Sequence, residues 1–192
     1  MSPPMKPIRI LVALSVALGL ASCGGSDDAA DAGPVSPDAY VRSVCVAMVR
    51  WTANIGAAFE ETEARPATDV AAILRTDMLD LFDGVQDATD TMRAEVTAAG
   101  NADVPEGVVA ARDLQAVVDR ASAALKANRA DFADIAVTDV QPAASIEGAL
   151  TVLADQFKAV QEAVGELDRR SPDLRRAREA EPACTEFETL DF

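Results

Sequence analysis

Apolar residues recur every three or four positions through four long stretches of this chain, and this spacing constrains the fold more than any other feature. One face of an α-helix repeats at the same interval, so each stretch, roughly 30 residues long, is predicted to be an amphipathic helix. The first stripe consists of Tyr40, Val44, Met48, Trp51, Ile55 and Phe59. The second runs from Val70 to Val96, and the third from Val108 to Ile135. The fourth consists of Ile146, Leu150, Leu153, Phe157, Val160, Val164 and Leu167.

Proline and glycine mark where these helices begin and end. Ser36-Pro37 and Ser171-Pro172 each place a capping serine before a proline at the first helical position. The predicted boundaries are an end before Arg65-Pro66, a second helix from Pro66 or Thr68 to Gly100-Asn101, a third from Val104-Pro105, a fourth after Gln141-Pro142, and a short fifth ending near Ala180. Short connections between long helices imply antiparallel neighbours. The predicted fold is all-α, an up-down-up-down antiparallel four-helix bundle with a short C-terminal helix.

The first 22 residues have the composition of an export signal. Lys6 and Arg9 precede an apolar run from Ile10 to Ala21, as in secretory signal peptides. As a helix this run would be only about 18 Å long, against about 30 Å for the apolar core of a bilayer. We therefore predict a signal peptide and not a permanent membrane span.

The apolar run ends in Leu20-Ala21-Ser22-Cys23, which resembles the lipobox of bacterial lipoproteins. The resemblance implies cleavage between Ser22 and Cys23 and a thioether-linked diacylglycerol on Cys23, and it allows a further acyl chain, such as palmitate, on the new amine. Two or three acyl chains anchor a protein stably, whereas one is marginal. The alternative is an ordinary secretory signal that leaves Cys23 unmodified. The resemblance thus implies a protein anchored by lipid at the extracytoplasmic face of the cell membrane.

Residues 23–37 separate the lipobox cysteine from the first predicted helix. They are rich in glycine, aspartate, alanine and proline, and such a composition favours a flexible tether, about 20 Å in root-mean-square span at this length. The predicted organisation is a signal peptide over residues 1–22, a lipidated cysteine and acidic tether over 23–37, and a helical bundle over 38–192.

Lipidation of Cys23 would leave two of the three cysteines, Cys45 and Cys184. Cys45 lies in the early turns of the first predicted helix, and Cys184 follows the short C-terminal one. In an up-down-up-down bundle these positions lie at the same end, and in an oxidising compartment such a pair is normally bridged. We predict a Cys45–Cys184 disulfide, with two free buried thiols as the alternative.

The mature sequence also resembles small secreted or lipid-anchored helical proteins of actinobacteria, which are mostly uncharacterised. The resemblance rests on the lipobox, the acidic tether, the segment YVRSVCVAMVRW in the first helix and the C-terminal EPAC. It implies the same bundle and disulfide, and it implies no catalytic or binding residues.

Composition argues against several classes of function. The chain contains no histidine, which removes histidine-dependent triads, histidine general bases and zinc–histidine sites. A net charge of −15 is unfavourable for contact with nucleic acid, which needs a basic face; the other explanation of this acidity is solubility. We expect no enzymatic activity, no cofactor, no resident metal and no nucleic-acid partner.

Two charged clusters are candidate surfaces. The acidic stripe consists of Asp80, Asp83, Asp87 and Asp90 on the second helix, and it is either a site for a divalent cation or basic partner, or a solvated face. The basic patch consists of Arg169, Arg170, Arg175, Arg176 and Arg178. It either faces anionic lipid head groups or forms local ion pairs. The local partners would be Asp168, Asp173, Glu179 and Glu181.

The expected core decides between the remaining functions. A carrier of an apolar ligand needs a cavity lined by aromatic and large aliphatic side chains, and aromatic residues make up only 4% of this chain. Tyr40, Trp51, Phe59, Phe82, Phe132 and Phe157 are predicted to be packed core. Asn128, on the third stripe, is predicted to fix helix register, with a small binding site as the alternative. We therefore expect a non-catalytic interaction or scaffold module with an envelope partner, the alternative being a carrier or sensor of a small apolar ligand.

Overall fold

Six α-helices make up most of the chain that the structure, a computed structural model, describes: residues 33–63, 70–134 and 142–189. The helices are α1 (Pro37–Glu63), α2 (Val70–Ala98), α3 (Gly107–Asp134), α4 (Pro142–Arg170), α5 (Pro172–Ala180) and α6 (Pro182–Glu188). Within these ranges no strand forms, which confirms the all-α prediction. The signal peptide, Ser22, Cys23, the predicted start of the second helix at Pro66 or Thr68, and Ile135 lie outside the described residues.

Serine caps begin two of the helices where the sequence predicts them. The Ser36 hydroxyl accepts a hydrogen bond from the Ala39 amide at 3.2 Å, and the Ser171 hydroxyl accepts one from the Asp173 amide, also at 3.2 Å. In each case the proline after the serine is the first helical residue. Because that proline has no amide hydrogen to leave unpaired, it suits the first turn.

Contacts between neighbouring long helices show that their directions alternate. Trp51 and then Ala58 follow one another along α1, and their partners on α2, Thr89 and Gly84, follow in the reverse order. The same reversal relates α2 to α3, and one end of α3 pairs with the opposite end of α4. The pairs are Asp83–Arg129, Thr97–Gln115 and Asp113–Arg170. The four long helices therefore run up-down-up-down, as predicted.

The turn between α2 and α3 also holds the segment that precedes α1. Gly100 has a φ of 68°, a left-handed conformation that favours glycine at a helix C-terminus. The Val35 amide donates to the Asn101 carbonyl at 2.9 Å, and the Val35 carbonyl accepts from the Asp103 amide at 2.7 Å. Val35, which falls in the predicted tether, is therefore fixed to the bundle.

The side of the bundle between α1 and α4 is partly occupied by α5 and α6. α5 packs against both long helices, and α6 packs against α1. Apolar periodicity and the Ser171-Pro172 cap predict α5 but not α6, because seven residues are too few to show helical periodicity. Its signal is Glu181 before Pro182, where the Glu181 carboxylate accepts from the Ala183 amide, an arrangement like that of Ser171 and Pro172. Cys184 follows α5, as predicted, and lies within this additional helix.

Burial confirms the described parts of the apolar stripes with one correction. The α1 stripe is buried from Tyr40 to Ile55, and Phe59 is half-buried. Val108, predicted to start the third stripe, is 66% exposed, because the buried face of α3 passes through Gly107, Ala110 and Leu114. The side chains of Val70, Ile146 and Leu150 lie outside those that the structure describes.

Candidate functional site: an apolar cavity in the bundle

A cavity of about 290 Å³ lies among the four long helices. Its walls are Trp51, Ile55 and Phe59 of α1, Val85 of α2, Leu125 of α3, and Leu153, Ala154, Gln156 and Phe157 of α4. Protein cores normally leave few voids larger than one water molecule. A space of this size within the helical core is therefore a candidate binding site.

The cavity is deep on one side and open on the other. Val85, Leu125 and Trp51 are at most 2% exposed and form its floor. Phe59 and Leu153 are half-buried, and Ala154 is exposed. Since these three residues lie on α1 and α4, the mouth of the cavity lies between those two helices.

A row of three aromatic rings connects the cavity lining with α6. The Trp51 and Phe157 rings are stacked, with centroids 4.7 Å apart and planes 9° from parallel. Phe187 of α6 packs against Phe157, with ring centroids 6.0 Å apart. The C-terminal helices thus fill one half of the α1–α4 side and leave the other half as the mouth.

The Trp51 ring is held in place from behind. Its indole Nε1–H donates to the Thr89 hydroxyl at 3.0 Å, and that hydroxyl donates to the Val85 carbonyl at 2.8 Å. Thr89 is fully buried. Because both bonds are out of water, they fix the indole in one orientation, so that the wall of the cavity exists before any ligand arrives.

Replacing Thr89 with valine is expected to lower the free energy of unfolding by about 1 to 3 kcal/mol, since the variant keeps the shape of the side chain but leaves the Trp51 Nε1–H buried without an acceptor. Urea unfolding followed by circular dichroism measures the change. Thr91→Val is the matched control, because the Thr91 hydroxyl also bonds to a carbonyl one turn back, that of Asp87, but on the exposed face. The control is expected to change stability by less than about 0.5 kcal/mol. Equal effects of the two variants would contradict a special role for Thr89.

Among the described residues, none of those that line the cavity is ionisable. Eight of these nine have aliphatic or aromatic side chains, and the ninth, Gln156, is a half-buried neutral amide. A charge taken into such surroundings would lose its hydration without a partner of opposite charge. The described lining is therefore chemically suited to uncharged molecules.

The predicted disulfide is present. Cys45 of α1 and Cys184 of α6 are bridged, with Cα atoms 4.9 Å apart. Both residues are at most 2% exposed. The bridge fixes α6 to α1, and it lies three residues before the Phe187 ring that supports the aromatic row.

The acidic stripe contributes to packing between helices. Asp83 forms an ion pair with Arg129 of α3, and Asp90 pairs with Lys126 at 3.5 Å. Bonding to Arg129 holds the pKa of Asp83 below its usual value despite partial desolvation. Within the described ranges no cluster of acidic or cysteine side chains is arranged to hold a metal ion. At least two members of the stripe are thus engaged by basic residues of this same chain.

Most of the basic patch is likewise paired with acids. Arg170 reaches Asp113 of α3 at 2.6 Å, and Arg176 reaches Asp173 at 3.1 Å, the latter as the local-pairing hypothesis predicts. Arg169 pairs with Glu166 and Arg178 with Glu188. Glu181, expected to pair within the patch, instead binds Arg42 of α1 at 3.0 Å. A membrane-facing role for the patch stays a prediction.

Four buried side-chain atoms lack a hydrogen-bond partner among the described residues. Two of them, Arg75 Nε and Gln86 Oε1, belong to groups that are bonded through another atom. The third is the Tyr40 hydroxyl, whose pKa burial raises to about 12, so that the phenol is neutral at physiological pH. The fourth is the Asn128 amide nitrogen. Asn128 does not line the cavity, and the part of the chain that the structure describes gives its amide nitrogen no partner on a neighbouring helix. Its predicted role in helix register stays a prediction.

None of the described helices combines the length and apolar character needed to cross a bilayer. Comparison of the sequence with protein-family models, with curated proteins and with solved structures finds no match. Any functional conclusion therefore rests on the cavity and the residues around it.

Proposed function

We propose that this protein is a lipid-anchored, extracytoplasmic binding protein that holds one small apolar molecule between its four long helices. The anchor is the diacylglycerol that the lipobox implies on Cys23, and the ligand site is the cavity that Trp51 lines. The cavity is the observation that carries the proposal. It also favours the carrier over the interaction module that the sequence alone suggested.

The size of the cavity sets the size of the ligand. A cavity of about 150 Å³ accommodates one benzene molecule, with six non-hydrogen atoms. In proportion, the 290 Å³ found here has room for about a dozen non-hydrogen atoms. A short acyl chain or a substituted aromatic ring has this size, whereas a complete membrane phospholipid is several times larger.

The construction of the walls supports ligand binding over incomplete packing. Trp51, Phe59 and Phe157 present large apolar surfaces, and burial of such surface is the main source of affinity for an apolar molecule. Trp51 is additionally held by the bond to Thr89, so little ordering is required when a ligand enters. Without a ligand, the same side chains forgo dispersion contacts that a filled core would provide.

Native mass spectrometry of the full chain, extracted from its own membrane in mild detergent, tests both parts of the proposal. The expected species lacks residues 1–22, carries the covalent mass of a diacylglycerol, and carries a further small-molecule mass that collisional activation removes. A protein without covalent lipid would contradict the anchor. A protein with no small-molecule mass and no capacity to take up added butylbenzene would contradict the ligand site, and a tightly bound polypeptide in its place would support the interaction module.

A further inference from the structure

The chemistry of the cavity mouth narrows the class of ligand. We infer that the natural ligand is a neutral amphiphile, with an apolar tail against Trp51 and one uncharged hydrogen-bonding head group at Gln156. The inference rests on the proposed function and concerns the ligand's head group. It follows from the position of Gln156, from the character of the floor and from the charges beside the mouth.

Among the described lining residues, Gln156 is the one with an amide side chain, and it is half-buried on α4, beside the mouth. Its amide makes no hydrogen bond to another described residue. A primary amide both donates and accepts, so it can bond a hydroxyl or a carbonyl group but gives a full charge no counter-charge. The floor, formed by Val85, Leu125 and Trp51, is apolar throughout, so the tail lies there and the head lies at α4.

The exposed charged residues that neighbour the lining residues of the mouth in sequence are mostly acidic. Glu60 follows the lining residue Phe59, and Asp155 lies between Ala154 and Gln156, both with exposed side chains. Lys158, also exposed, is the described cation nearest to them along α4. These groups would repel an anionic head group more than they attract it. Their exposure limits the effect, because solvent and salt screen surface charges over about 8 Å at physiological ionic strength.

The hydration that each head group loses on binding therefore decides the order in which the cavity prefers the three kinds of ligand. A charged head of either sign loses hydration at an apolar mouth with no buried counter-charge, whereas an alcohol exchanges one water for the Gln156 amide. A cation would recover part of its loss from Glu60 and Asp155. An anion would recover nothing from them. The expected order of affinity is alcohol first, ammonium second and carboxylate last.

A matched set of ten-carbon probes tests this order. 1-Decanol, decylamine and decanoate each contain ten carbon atoms and differ in the head group, which in decanoate includes one of the ten carbons. Butylbenzene has no hydrogen-bonding group at all. Each is titrated at pH 7.5 and 0.15 M salt into the mature chain from residue 23 carrying Cys23→Ser, which keeps every described residue and needs no detergent. Trp51 is the one tryptophan of the sequence and forms a wall of the cavity, so its fluorescence reports binding directly.

We expect 1-decanol to bind at least tenfold more tightly than decanoate, with decylamine between them. Raising the salt concentration should narrow the difference in affinity between the two charged probes and leave the affinity for 1-decanol unchanged. Gln156→Leu should weaken 1-decanol about fivefold relative to butylbenzene, which makes no bond to the amide. Circular dichroism establishes that this variant is folded.

Failure of the head-group inference and failure of the proposed function give different results in this experiment. If decanoate binds as tightly as 1-decanol, or if Gln156→Leu weakens butylbenzene and 1-decanol equally, the head-group inference is wrong while the cavity remains a ligand site. If no probe binds, butylbenzene included, the proposed function itself is wrong.

Discussion

Replacing Cys45 and Cys184 together with alanine is expected to lower the free energy of unfolding by roughly 4 to 5 kcal/mol. The bridge closes a loop with a sequence separation of 139 residues, and in the chain-entropy model a loop of this length restricts the unfolded chain by about that amount. For a chain of this size the loss corresponds to a melting temperature lower by about 10 to 20 °C. Thermal unfolding followed by circular dichroism measures it.

Reductant provides the control for this variant. Dithiothreitol at a concentration that reduces the bridge should lower the melting temperature of the wild-type protein towards that of the Cys45→Ala, Cys184→Ala variant and should leave the variant unchanged. Thiol labelling shows whether both cysteines are reduced. If they are and the melting temperature of the wild-type protein does not fall, the disulfide does not stabilise the fold. Because Cys184 lies on the same short helix as Phe187, the reduced protein should also bind apolar probes more weakly.

Filling the cavity from its floor is expected to weaken ligand binding strongly. Val85 is fully buried and lines the cavity, so a phenylalanine side chain at this position cannot turn to solvent and must occupy the space that the ligand uses. We expect Val85→Phe to weaken butylbenzene binding at least tenfold, which is about 1.4 kcal/mol. The free energy of unfolding should change by less than about 1.5 kcal/mol, because the added ring enters empty space and not a filled core.

Val46→Phe is the matched control for the cavity variant. Val46 lies on α1 and is 38% exposed, so the same substitution there adds the same ring without entering the cavity. Fluorescence titration of Trp51 should give wild-type affinity for the control. A folded Val85→Phe protein that binds butylbenzene as tightly as the wild type would place the binding site elsewhere.

Sequence periodicity predicted which face of each helix is buried, and chain order with cysteine count predicted the disulfide. The α1 stripe from Tyr40 to Ile55 and the bridge between Cys45 and Cys184 are the clearest cases. Both follow from local rules: a helix repeats every 3.6 residues, and antiparallel helices return the chain to the same end. These rules hold whatever the details of packing.

The cavity could not be predicted in the same way. Trp51, Phe59 and Phe157 were expected to be packed core, and an apolar residue on the inner face satisfies the same periodicity whether it meets a neighbour or a void. What separates the two cases is the distance between α1 and α4, which depends on how α5 and α6 occupy that side of the bundle. The sequence showed only the first of these two short helices, so the spacing was not accessible from it.

The position of the disulfide also determines how the protein would respond to mechanical load. Everything from α2 to α5 lies between Cys45 and Cys184 in chain order, so tension applied between a point before Cys45 and a point after Cys184 passes across the covalent bridge. The long helices that enclose the cavity would bear almost none of it. A molecule tethered at its N-terminal side and pulled from its C-terminal side could therefore lengthen only by the residues outside that ring, and the cavity would keep its shape under a force that unravels an unbridged bundle.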